Sequence, residues 1–200
     1  MKNRILVYLL AGCALMLAPA AIADTVVQYA ERIASLIEPA KLATLGKRGA
    51  NPRVQKYVAQ LAEAQLERLN VTNIVADAVG KAGMTGEAAA LTREAMLRNL
   101  TIADRLGCLE ADGIKEMKQG KAATVMRGPY KGDELSVDHI IPRAVVPELD
   151  NVIANLELMP MRMNAGKKDK VGERQIELGK KLNKAGLLDK GGLKALLRKK

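Results

Sequence analysis
Apolar residues recur at helical spacing through most of the stretch from Val26 to about Lys118. Val54, Tyr57, Val58, Leu61, Ala62, Leu66 and Leu69 share one face behind Pro52, a residue suited to a first helical turn. Thr72 to Val79 predicts a shorter helix stopping at Gly80. Glu87 to Gly107 predicts a longer one, with Leu91, Ala95, Leu97 and Ala103 among its apolar positions. A last short helix, roughly Ala111 to Lys118, should end at Gly120. This half reads as a small helical bundle, and nothing in it carries chemistry by itself.

The texture changes after Gly120. Gly128-Pro129-Tyr130-Lys131-Gly132-Asp133 is turn-rich. Leu135 to Ile140 alternates like a strand, and Asn155 to Met159 alternates again. A connection containing Pro142, Pro147, Asp150 and Asn151 separates them. From about Met161 the residues suit a helix, with Val171, Leu178 and Leu182 on one side until Gly186. Strand, loop, strand, helix is the expected order over 135–186.

The first 23 residues read as an address. Lys2 and Arg4 precede an apolar run from Ile5 to Leu17, Pro19 breaks it, and Ala21-Ile22-Ala23 offers the small residues a signal peptidase reads. Cleavage before Asp24 is the first reading. A lipoprotein anchored at Cys13, within Leu10-Ala11-Gly12-Cys13, ranks second, and an uncleaved membrane anchor third. All three place the functional part outside the cytoplasm, periplasmic or secreted. After cleavage no stable membrane association is expected, and Cys108 is the remaining thiol, among apolar neighbours that suit a buried small hydrophobe.

Composition narrows the partners. With no Phe, no Trp and four Tyr, the core must use Leu, Ile, Val, Ala and Met, and base recognition by rows of aromatic rings is disfavoured. The formal net charge of +10 calls for an anionic partner. Residues 166–200 hold 12 Lys and Arg against 4 Asp and Glu, whereas 24–165 balance at 18 against 18. The excess therefore follows the two-strand segment directly. Alone it would read as a solvated basic face.

The chemistry is concentrated around the one histidine. Asp138-His139-Ile140-Ile141-Pro142 is followed by Asp150-Asn151, Asn155-Leu156 and Asn164-Ala165-Gly166-Lys167-Lys168-Asp169-Lys170. Steps of 16 and 9 residues separate His139, Asn155 and Asn164. Histidine is the side chain best poised to take a proton from water near neutral pH, as phosphodiester hydrolysis requires. Asp138 precedes it in an alternating strand, so the two side chains diverge unless the strand ends there.

With these residues, about 128–172 resembles the HNH endonucleases, the ββα-metal nucleases. The resemblance implies that the first strand ends at the Asp-His pair, that His139 is the general base, and that Asp138 and Asn164 bring oxygens to a divalent ion, Mg²⁺ or Mn²⁺. Asn155 resembles the family's middle Asn, a member of the catalytic set that holds the loop and the histidine. Many members pin the finger with paired cysteines and zinc; here no structural zinc is expected, and packing on the helical half must replace it. Arg143, Lys167, Lys168 and Lys170 are the expected nucleic-acid contacts, with DNA ahead of RNA. The resulting expectation is an α+β chain: signal peptide 1–23, helical domain 24–120, HNH ββα-metal domain 121–186, and a basic tail or short helix over 187–200. A non-catalytic nucleic-acid-binding protein keeping the ββα fold, or a secreted nuclease toxin, remain alternatives.

Overall fold
The computed structural model describes residues 19–167 and 169–199, with side chains from Thr25 onward. The expected leader through position 18, Cys13 included, and Lys168 lie outside the described residues. Helix α1 (Pro19–Ile37) runs through Asp24, and α2 (Pro39–Ala43) follows. Then come α3 (Asn51–Leu66), α4 (Val71–Lys81), α5 (Gly86–Arg105) and α6 (Ala111–Lys118). Strands β1 (Leu135–His139) and β2 (Leu156–Pro160) pair antiparallel, Leu135 opposite Pro160 and His139 opposite Leu156. Helices α7 (Met161–Lys167), α8 (Glu173–Lys184) and α9 (Lys190–Leu197) complete the order. The chain is α+β, mostly helical with a small two-stranded sheet. Among the described residues no helix is long and apolar enough to cross a membrane.

The local reasons are legible. Val54, Tyr57, Val58, Leu61 and Ala62 bury one face of α3. The Asn70 side chain caps α4, accepting from Thr72 N at 3.0 Å and Asn73 N at 3.2 Å. That helix passes Gly80, where the sequence predicts its end. It ends instead at Lys81, and Gly83, just past the Ala82 cap, has a φ of +78° that suits a residue without Cβ. The single helix expected from Met161 to Gly186 is two. Gly172 is extended between them, and Gln175 Oε1 accepts its backbone N–H at 3.0 Å to start α8.

The apolar core runs across the change of texture near Gly120. One cluster joins Tyr29, Leu61 and Met96 of the helical half to Leu135, Val137, Leu156 and Leu158 of the sheet. A second gathers Ile141, Leu149, Leu182, Leu188 and Leu196, so the basic C-terminal segment is pinned by buried leucines. Helical-half amides grip both strands. Asn99 of α5, fully buried, donates to Tyr57 Oη (2.7 Å) and Leu156 O (3.1 Å) and accepts from Leu158 N (2.9 Å). Gln55 of α3 donates to Leu135 O at 3.2 Å.

Cys108 is buried as expected, its thiol donating to Thr124 O at 3.6 Å. Burial, with Glu116 nearby, pushes its pKa up to about 11, so the thiolate is scarce at neutral pH. In a Cys13→Ser chain, a thiol reagent at pH 7 should label Cys108 only after denaturation. Rapid labelling of the folded protein would contradict this burial.

Candidate active site
Past the end of β1 at His139, Ile140 N still donates to the backbone carbonyl of Asn155 at 2.9 Å, and the backbone groups of Ile141 then turn to a side chain. Asn155, fully buried, accepts from Ile141 N at 2.8 Å and donates to Ile141 O at 3.1 Å and Leu149 O at 3.4 Å. One amide thus ties the start of the connection to its far end.

His139 is almost wholly buried, and its Nε2 lies 2.9 Å from the backbone carbonyl of Asp150. A carbonyl only accepts, so Nε2 carries the proton in the neutral ring and Nδ1 keeps the lone pair. Asp150 Oδ1 lies 2.9 Å from the same nitrogen, yet it is buried without an aligned hydrogen bond. An imidazolium would put full charge beside that carboxylate. The carbonyl fixes the orientation of the ring, and the carboxylate of the same residue lies beside it.

Asp138 stands opposite Glu157 across the sheet. Two like charges so placed repel, and each is met by cations. Glu157 takes Arg98 Nε at 3.3 Å and Arg174 Nη2 at 2.5 Å. Asp138 takes Lys167 Nζ, which also donates to His139 O at 2.8 Å and Ile140 O at 3.3 Å. From α7, Asn164 Nδ2 donates to Ser136 Oγ at 3.1 Å, leaving its amide oxygen without a protein donor among the described residues.

These groups meet at a cleft of about 320 Å³ lined by Asp138, His139, Asn164, Arg143 and Arg48, with Asp169 at its side. No family model matches the chain, and neither a curated protein nor a solved structure matches it. The site is therefore read from its own donors. A carboxylate and an unpaired amide oxygen are hard donors, the kind that suit Mg²⁺ or Mn²⁺. The Asp138 carboxylate already attracts an ammonium, so the donor set fits a cation. Among the described residues no group of three or more His, Cys, Asp or Glu gathers for a metal.

The expected nucleic-acid residues divide. Arg143 lines the cleft with its Nε 3.8 Å from Asp150 Oδ1. Lys170 is exposed. Lys167, expected on phosphate, is engaged by Asp138 and two carbonyls, because a carboxylate beside two strand-end carbonyls is a strong local acceptor for ammonium. Sequence reasoning noted Asp150 only as part of the connection and missed its hold on His139, eleven residues away. It missed Arg48 altogether. The turn-rich composition of Gly46-Lys47-Arg48-Gly49 was the available signal.

Proposed function
We propose that the chain is a metal-dependent HNH endonuclease that hydrolyses phosphodiester bonds of nucleic acid, DNA ahead of RNA. The observation that carries this reading is the meeting of Asp138, His139 and Asn164 on one cleft beside Arg143. In it β1, β2 and α7 form the ββα-metal finger, residues 1–23 are an export signal, and the mature protein is periplasmic or secreted. His139 takes the proton of the attacking water on Nδ1, and Asp150 steadies the imidazolium. Asp138 and Asn164 hold the divalent ion, and Arg143 and Lys170 add positive charge toward the phosphate backbone. When bound, the ion supplies positive charge to the scissile phosphate and the leaving oxygen.

The test is plasmid cleavage by the purified protein with Mg²⁺, Mn²⁺ or Zn²⁺, with and without EDTA. Cleavage that EDTA abolishes and Mg²⁺ or Mn²⁺ restores supports the reading. Binding without cleavage under every metal would make the protein a non-catalytic nucleic-acid binder. Within active preparations, Asp138→Ala and Asn164→Ala should each shift the metal titration to higher concentration. Excess metal should rescue Asn164→Ala more readily, since Asp138 contributes charge as well as an oxygen. Unchanged titration curves in both variants would place the ion elsewhere.

A further inference from the structure
The loop between α2 and α3 reaches the cleft from the helical half, and Arg48 is its point of entry. Arg48 lines the His139 cleft and also a neighbouring cleft of about 540 Å³, which shares Val137, Asn164 and Ala165 with the first. It therefore stands where the two adjoin.

Its backbone is held in an unusual way. Arg48 has φ of +59°, in the left-handed region that side chains with a Cβ rarely adopt. Gly46 and Gly49 flank it and would take this conformation freely, yet arginine occupies it. The conformation is secured from the site itself. Arg48 N donates to Asp150 Oδ2 at 3.1 Å, and Ala50 N to Asn151 Oδ1 at 2.9 Å. Asn151 Nδ2 returns a bond to Leu45 O and another to Gly46 O, each at 3.3 Å. The carboxylate that faces His139 thus also sets the backbone of Arg48.

The side chain is free to act. Arg48 is exposed, and its guanidinium makes no ion pair or hydrogen bond among the described residues. Arg143, by contrast, faces Asp150, and Lys167 is taken by Asp138. Arg48 is therefore a cleft-lining cation whose whole guanidinium is open to an incoming anion. A guanidinium presents a planar fork that matches two phosphate oxygens at once. We propose that Arg48 grips a backbone phosphate of the nucleic acid lying in this groove, so that the helical half forms one wall of the substrate site. This rests on the nuclease reading above.

The test uses the full chain carrying His139→Ala, with and without Arg48→Gly, binding a short fluorescein-labelled DNA duplex across a salt series. Glycine suits the left-handed backbone, so thermal melting should be retained while the guanidinium is lost. Arg48→Asn, which also tolerates that conformation, should behave the same way. The expected result is roughly tenfold weaker binding at low salt, with the slope of log K against log salt shallower by about 0.9. Arg48→Lys should keep the slope, since it keeps the charge. Affinity and slope unchanged in both Arg48→Gly and Arg48→Asn would overturn the proposal, and if His139-dependent cleavage persists the nuclease reading would survive alone. Failure of the His139→Ala parent to bind the duplex, together with no cleavage by the wild type, would overturn both.

Discussion

His139→Ala is expected to lower phosphodiester cleavage by ~10²–10⁴-fold, the contribution a positioned general base makes. No other histidine exists to take over the proton. The fold should survive the change, because the ring's anchoring partner is a backbone carbonyl of the connecting loop rather than an apolar cluster. The decisive comparison is the cleavage rate at saturating metal, with far-ultraviolet circular dichroism showing equal helix content. A rate within a few fold of wild type would remove His139 from the base role. Asp150→Asn gives a companion reading on the same chemistry. It keeps the backbone carbonyl that orients Nε2 and one oxygen to accept from Arg48 N, and removes the charge that would steady the imidazolium.

Asn155→Ala should be the most destabilising change near the cleft. It leaves Ile141 N–H, Ile141 O and Leu149 O without their side-chain partner in a site closed to water. A buried backbone group stripped of its partner costs about 1–3 kcal/mol. Partial relaxation of the loop leaves a loss of about 2–4 kcal/mol in all. For a chain of this size each kcal/mol moves the melting temperature by about 2–4 °C. Thermal melting of wild type and Asn155→Ala measures this directly. A shift within error would mean that the loop is held by its other contacts. Asn155→Asp separates the two halves of the job, since it keeps the acceptor for Ile141 N and loses both donors.

The elements were legible wherever the signal was local. The apolar stripe of α3, the alternation of β1 and β2, and the turn residues after Gly120 each depend on neighbours within a few positions. Asp138, His139 and Asn164 stand out within one short stretch of sequence, and all three line one cleft. Less visible were the contacts that close over distance. Asp150 reaches Arg48 across 102 residues, and Asn99 reaches Leu158 across 59; no periodicity records such pairs. The engagement of Lys167 was hidden differently. In sequence it is one of several lysines, and only the turn of α7 back onto β1 sets it against the strand-end carbonyls. The split between α7 and α8 was missed because Val171 continues the apolar side of the helix, while one glycine and the glutamine three places later decide the break.

The grip of Asn99 and Gln55 on the two strands bears on how such a two-stranded unit can travel between proteins. A two-stranded ribbon is marginal in water by itself. Here the carbonyls of Leu135 and Leu156 and the amide of Leu158 look to side chains on α3 and α5. Cutting the chain before β1 would strand those groups at a bare apolar surface. The strands are thus no interchangeable cassette. Any transplant that kept the cleft intact would have to carry both helices as its chassis, and recombination breakpoints between α6 and β1 would separate parts that this chain can use only together.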